Sequence, residues 1–178
     1  MIQLLEDLLA ERIAVDGLAD QAGARPADTF IENIVEEVSL AYDHLQITTR
    51  GNIDGQEFMI DRKLFRLIMN NLINNALKYS SHPERPIDIH SRVEKDVLTV
   101  CIADQGIGVP EHEITHLFEA FHRAGNVGTR QGTGLGLAIV KGAIDRLAGT
   151  INVASMENQG TTFTFTIPLA TAANEVAC

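Results

Sequence analysis

Asn70, Asn71, Asn74 and Asn75 fall within six residues of the segment LFRLIMNNLINNALKYS. Asparagine is a poor helix former, because its side-chain amide competes for backbone hydrogen bonds. Four of them in a segment otherwise patterned as a helix ask for a role. At about 100° per residue, Leu64, Phe65, Ile68, Met69, Leu72 and Ala76 share one apolar face. Asn70 and Asn74 fall nearly opposite, toward solvent. Asn71, Asn75 and Lys78 follow at i, i+4 and i+7 along the border of the apolar face. Two amide oxygens and one ammonium on that border would line the wall of a cleft. Amide oxygens are hard ligands suited to Mg²⁺, which takes the rest of its octahedral shell from phosphate and water. Lys78 would then balance phosphate charge. Half-exposed polar residues on a helix flank explain the helix, taken alone, equally well.

Two glycine segments lie further along. Asp104-Gln-Gly106-Ile-Gly108 follows directly on an apolar alternating run. An aspartate at a strand end, with glycines after it, can hold a carboxylate against the base of a ligand while the backbone comes close. A carboxylate accepting from an exocyclic amine would select adenine, and such charged hydrogen bonds are worth about 1.5–3 kcal/mol. An ordinary Asp-Gly turn is the plainer alternative. Gly132-Thr133-Gly134-Leu135-Gly136-Leu137 opens the helical pattern AIVKGAIDRL. Glycines at a helix start leave free N–H groups that can meet phosphate. The spacing is neither GxGxxG nor a Walker A loop.

These residues need elements to hold them. An amphipathic stripe of Ile2, Leu5, Leu8, Leu9 and Ile13 predicts a helix over residues 1–20, broken by QAGARP before Pro26. Residue 26 therefore closes an appendage, residues 27–169 form the main domain, and 170–178 form a flexible tail. A second helix fits 29–44, with Thr29 and Glu32 as a capping box. LQITTRGNIDGQEFMID reads as a strand, a Gly-Asn and Asp-Gly turn region, and a second strand. A helix over 61–80 follows. Then come the strands PIDIHSRV and VLTVCIAD, a helix over 135–147 stopped by Gly149, and the strands TINVAS and TTFTFTIPL. Strands joined by tight turns, with helices interspersed, predict an α/β fold. It is a two-layer α/β sandwich whose mixed, mostly antiparallel sheet carries helices on one face.

Composition narrows the function. With 178 residues, 45% hydrophobic and 21% charged, the chain is neither disordered nor collagen-like. Aromatics are 5% with no Trp, so the core is mostly aliphatic. A formal net charge of −10 argues against nonspecific nucleic-acid binding. Cys101 and Cys178 form no CxxC and no metal-ligand spacing, which suits a disulfide-free cytoplasmic protein. No apolar run approaches the ~20 residues of a membrane helix. MIQLLEDLLAERIAVDGL lacks the basic start of a signal peptide.

His112-Glu113-Ile114-Thr115-His116 matches HExxH, the zinc-protease pattern. On a helix started by Pro110 the two histidines would share a face and Glu113 could activate water. The helix is short, however, and His122 falls past its end, so a third ligand is not evident. A zinc protease is thus a remote alternative.

Taken in order, the motifs resemble the ATP-binding catalytic domain of bacterial sensor histidine kinases, in the GHKL (HATPase) group, over roughly residues 27–169. NLINNALKYS is similar to the N box, DQGIG to the first glycine box and LFEAFHR to the phenylalanine box. GTGLGLAIVK is similar to the second glycine box and GTTFTFTIPL to the closing glycine-threonine strand. The resemblance implies a Bergerat-type ATP-binding fold with ATP and Mg²⁺ as ligands. It places Asn75 as principal Mg²⁺ ligand with Asn71 assisting, Lys78 and Tyr79 beside the phosphates and nucleotide, and Asp104 on the adenine amine. Gly106 and Gly108 would shape that pocket, and Thr161 would support Asp104 or a bridging water. Phe118 and Phe121 would anchor the start of a lid over 124–131, and Arg123 would reach the terminal phosphate, with Arg130 a further phosphate candidate. Gly132, Thr133, Gly134, Leu135, Gly136 and Leu137 would surround the phosphates.

The resemblance also makes residues 1–26 the C-terminal end of a dimerisation helix plus linker. It implies a homodimeric whole protein, cytoplasmic or the cytoplasmic part of a membrane-bound sensor, serving a response regulator indirectly and binding no nucleic acid. One departure concerns the phosphoacceptor. None of the six histidines, His82 included, fits H-[DE]-x-[RK]-x-P, so the acceptor helix is expected to come from elsewhere. In ATP-hydrolysing GHKL relatives a Glu stands four residues before the metal-binding Asn. Here Asn71 holds that place, and an amide cannot accept a proton from water at neutral pH. The expected activity is therefore histidine phosphorylation, with Asn71, Lys78 and Arg123 serving the transfer. A non-catalytic ATP-binding regulatory module and a serine kinase of the anti-sigma type are the alternatives on the same fold.

Overall fold

The computed structural model describes residues 25–26, 47–52, 57–58, 60–80, 86–128 and 132–169. In chain order these form β1 (Arg25–Pro26), β2 (Ile47–Asn52), β3 (Glu57–Phe58), α1 (Arg62–Tyr79), β4 (Ile87–Glu94) and β5 (Val97–Asp104). Two short 3₁₀ turns (Glu111–His116 and Gly125–Val127), α2 (Gly136–Arg146), β6 (Thr150–Met156) and β7 (Gly160–Pro168) follow. The expected helices over 1–20 and 29–44, the tail 170–178 and His82 lie outside the described residues.

Helix α1 begins where the sequence supplies a cap. The Asp61 carboxylate accepts from the N–H groups of Lys63 (3.0 Å) and Leu64 (3.1 Å), a contribution of about 1 kcal/mol. Lys78 stands in the last turn, where a cation meets the negative helix end. Leu64, Phe65, Ile68, Met69, Leu72, Ile73 and Ala76 are buried, so the predicted apolar face is the packed face, widened by Ile73. The Phe65 ring meets Phe165 edge-on at 6.0 Å, the geometry favoured by aromatic quadrupoles.

The main sheet has the order β2-β4-β5-β7-β6, antiparallel throughout except that β2 runs parallel to β4. In β5, Leu98, Val100, Ile102 and Asp104 are buried, while Val97, Thr99, Cys101 and Ala103 are half-buried. Side chains alternate faces along a strand, so the inward row of β5 ends on Asp104. Phe163, Phe165 and Ile167 of β7 join that row, and α1 and α2 pack against each other in the covering layer. Cys101 belongs to the half-buried row.

The strand pairing around residues 47–58 differs from the sequence reading. Gly51 and Asn52 are the last residues of β2 rather than turn residues, and β2 does not pair with β3. β3 pairs with β1, Arg25 opposite Phe58. A parallel β2–β4 ladder requires a long crossover, and residues 53–86, which carry α1, supply it. At the far end, α2 stops at Arg146, and Ala148 rather than Gly149 takes the left-handed conformation (φ +53°). The Gly149 N–H then reaches the Ile144 carbonyl at 2.9 Å. The β4–β5 turn uses Lys95 and Asp96 at φ +50° and +60°, the backbone a two-residue hairpin favours.

Candidate nucleotide site

Between α1, the end of β5 and the glycine segments lies a cavity of about 690 Å³, within the ~300–1,000 Å³ typical of small-molecule sites. Asn71, Asn75 and Lys78 line it together with Tyr79, so the border stripe of α1 does face a cleft. Asn74, placed toward solvent by the helical wheel, is exposed yet also lines the cavity rim.

The amide of Asn71 is oriented by its own helix. Its Nδ2 donates to the Leu67 carbonyl at 2.8 Å. The other amide atom, Oδ1, is turned toward the glycine loop: a Cβ built on Gly136 would come 3.3 Å from it. An oxygen presented in this way, with Asn75 one turn on, suits a hard cation. Lys78 Nζ lies beside the same loop, 2.4 Å from where a Cβ on Gly132 would stand, and sits 4.9 Å from the centroid of the Tyr79 ring.

Asp104 occupies a different environment. Its Oδ1 accepts from the backbone N–H of Gly106 at 2.8 Å and of Thr161 at 3.3 Å. Thr161 is its register partner on β7. Burial pushes the Asp104 carboxyl above its usual range, and those two N–H groups oppose the rise. Thr161 supports the carboxylate through its backbone; its hydroxyl bonds Ser155 Oγ at 2.9 Å. The first glycine segment is tied to α1 by a Ser80–Gly106 bridge and by Ile107 N–H to the Tyr79 carbonyl at 3.1 Å. Gly108 has φ +63°, and a Cβ there would stand 2.0 Å from the Met156 carbonyl oxygen. Only glycine lets this backbone turn along the cavity wall.

Gly132, Thr133, Gly134, Leu135, Gly136 and Leu137 all line the cavity, as does Arg123. Gly134 (φ +74°) accepts at its carbonyl from Phe121 N–H at 3.0 Å. Phe121 itself holds φ +65°, rare for a bulky residue, and is 53% exposed. Phe118 packs against the core. Neither phenylalanine, nor Gly106, lines the cavity. Arg130 lies outside the described residues.

The HExxH segment forms no helical metal face. Residues 111–116 are a 3₁₀ turn, in which positions i and i+4 diverge. Glu113 instead pairs with His122 at 2.7 Å and accepts from Gly125 N–H at 3.2 Å. The Gly125 N–H, above all, holds the Glu113 carboxyl below its usual range. His116 pairs with Glu119 at 2.8 Å, which raises its pKa. No group of three or more potential ligands gathers among the described residues.

Ile107, Val109, Leu117, Asn126, Val127, Ile139 and Phe163 also line the cavity, and the sequence reading singled out none of them. The residues from irregular segments have no periodicity to betray them. Phe163 had a signal, since strand alternation puts it in the inward row with Phe165. The wall thus offers one buried acceptor beside apolar side chains, and elsewhere amide groups, an ammonium, a guanidinium and the glycine-loop backbone. It fits a molecule with a flat amino-bearing ring and a polyanionic tail.

Residues 60–171 match the family described as Histidine kinase-, DNA gyrase B-, and HSP90-like ATPase. The sensor histidine kinase WalK of Bacillus subtilis (strain 168) is 35% identical over 148 residues, 76% of this chain and 24% of that protein. The sensor histidine kinase AruS of Pseudomonas aeruginosa is 40% identical over 119 residues, 62% of this chain and 12% of that protein. The chain therefore spans a quarter or less of the length of these two relatives. Among solved structures, the mycobacterial sensor histidine kinase MprB superposes with a TM-score of 0.70 at 22% identity, covering 85% of this chain and 99% of that one. Full-length ShkA in complex with AMPPNP superposes with a TM-score of 0.71 at 24% identity, covering 96% of this chain and 36% of that one. These two likenesses show the fold. No helix among the described residues is long and apolar enough to cross a membrane.

Proposed function

Because the chain belongs to the histidine kinase-, DNA gyrase B- and HSP90-like ATPase family, we propose that its cavity binds Mg-ATP and that it acts as the catalytic domain of a two-component sensor kinase. In this reading the domain donates the γ-phosphoryl group to a histidine on a dimerisation helix. One observation carries the reading: the Asn71–Asn75–Lys78 stripe, buried Asp104 and the 132–136 glycine loop, distant in sequence, line one cavity.

The adenine amine donates to the Asp104 carboxylate, held ready by two backbone N–H groups. Asn71 and Asn75 would hold Mg²⁺ through amide oxygens, and the ion, when bound, supplies charge neutralisation on the phosphate oxygens. Lys78, Arg123 and the glycine-loop N–H groups bind and orient the triphosphate. Transfer then breaks the bond between the γ-phosphorus and the ADP oxygen and forms a phosphorus–nitrogen bond to an imidazole, with ADP leaving. An imidazole nitrogen is already nucleophilic, whereas water needs a base, and Asn71 cannot serve as one. The domain therefore favours histidine over water, and its own ATPase activity is slow. The whole protein works as a homodimer on the cytoplasmic side, and a response regulator receives the phosphoryl group afterwards.

The test has two arms. Calorimetry with ATP and Mg²⁺ should show binding that Asp104→Ala weakens at least tenfold. Supplying the dimerisation helix in trans with labelled ATP should give acid-labile phosphate on its histidine. ATP binding without transfer would favour the non-catalytic regulatory module, and rapid steady-state hydrolysis would contradict the role given to Asn71.

A further inference from the structure

The letters that imitate a zinc site have other work in this fold. Glu113 is half-buried and does not line the cavity, but it reaches the segment that carries Arg123. Its Oε1 accepts from the Gly125 N–H at 3.2 Å, and its Oε2 stands 2.7 Å from His122 Nε2. That nitrogen is buried and meets no other polar partner among the described residues. A buried ring N–H needs an acceptor, and the carboxylate is the one at hand.

The two contacts fall on either side of Arg123 and Ala124, both of which line the cavity. One carboxylate thus spans the short stretch from which the guanidinium enters. Other ties hold the ends of this stretch. Phe121 N–H meets the Gly134 carbonyl at 3.0 Å, and Asn126 Nδ2 donates to the Gly108 carbonyl at 3.0 Å. Between those ends the backbone belongs to neither helix nor strand until the turn at Gly125, so its path depends on side-chain contacts. A displacement of about 1 Å in a group that orients a substrate can cost on the order of a hundredfold. We infer that Glu113 is a positioning residue: by holding His122 and Gly125 it sets the path of Arg123 toward the terminal phosphate. The inference rests on the nucleotide reading above, in which Arg123 binds the triphosphate.

A residue that acts through Arg123 should matter to ATP and hardly to ADP, whereas one that only braces the fold should affect both alike. Calorimetry with Mg-ATP and Mg-ADP separates the two, using the full chain as wild type, Glu113→Ala, Arg123→Ala and the double variant. Arg123→Ala should lower the preference for ATP over ADP roughly tenfold, the worth of a charged hydrogen bond. Glu113→Ala should lower it roughly three- to tenfold, and should lower it no further once Arg123 is gone. Equal losses for ATP and ADP in Glu113→Ala would overturn the inference, as would the same fall in preference with and without Arg123. Glu113→Met keeps the length of the side chain but neither contact, and serves the same comparison if the alanine variant melts early. An Arg123→Ala variant that keeps the full preference would also overturn the inference, since Glu113 would have nothing to position. Failure of the wild type to bind ATP would overturn the nucleotide reading itself, and the inference with it.

Discussion

Asp104 and the stripe of α1 face one cavity but are held there in opposite ways. Asp104 is a single buried charge at the end of an inward strand row, fixed by strand register and by two backbone N–H groups. Asn71, Asn75 and Lys78 are half-buried side chains spread over two helical turns, with Asn71 tied to its own helix and Lys78 over the Tyr79 ring. A desolvated charge is destabilising for the fold but discriminates strongly, because any ligand lacking a donor leaves it unpaired. Several half-solvated groups cost the fold little and share the work of holding a polyanion. On the proposed function, selectivity for the base would be concentrated in Asp104, and affinity for phosphate would be distributed.

The sharpest way to break this contrast is Asp104→Ala. It should weaken ATP binding by tenfold to more than a hundredfold, the value of about 1.5–3 kcal/mol for a charged hydrogen bond, as read by calorimetry. A loss no larger than that of a single stripe residue would erase the distinction. Next in size, Asn75→Ala should cost roughly tenfold in the presence of Mg²⁺ and little in EDTA, consistent with one hard ligand among several. Equal losses under both conditions would remove Asn75 from the metal.

Asp104→Asn sharpens the stability side. Burial raises the Asp104 carboxyl above 3.8 in the fold. The unfolded chain therefore loses its proton first, and stability falls as pH rises from about 3.8 through the folded value. Removing the charge should raise Tm by a few degrees at neutral pH, on the order of 1 kcal/mol. ATP binding should fall at the same time, because an amide N–H₂ facing the adenine amine sets donor against donor. A variant neither more stable nor weaker in binding would contradict the account. The smallest effect lies outside the cavity. The Glu119 partner raises the His116 pKa, so its contribution is present below about 6.5 and lost as pH rises through the folded value. An NMR titration should show His116 above the ordinary histidine value of about 6.5 and returning to it in Glu119→Gln, with ATP affinity unchanged.

Legibility followed periodicity. The face of α1 and its asparagine border were readable because a helix repeats every 3.6 residues. The inward position of Asp104 follows from alternation with Leu98, Val100 and Ile102. The pairing of β2 with β4 was not readable, since a glycine-rich stretch suggests a hairpin and only the whole topology shows a parallel partner. Asn126 and Val109 were hidden for another reason. They sit in irregular backbone, whose course is set by ties such as Gly108 to Asn126 that no local pattern announces. The HExxH letters, discounted in the sequence for want of a long helix and a third ligand, fold as a 3₁₀ turn.

The clasp between Phe121 and Gly134 bears on any attempt to engineer the site. Phe121 adopts a backbone conformation unnatural for its bulk, and its N–H meets a carbonyl of the second glycine segment. The two stretches, 118–124 and 132–136, are tied to each other at this point, and a side chain at Gly134 would strike the Phe121 and His122 backbone. Transplanting the glycine loop alone onto a new scaffold would deliver the letters without the shape, and a successful graft has to carry both pieces.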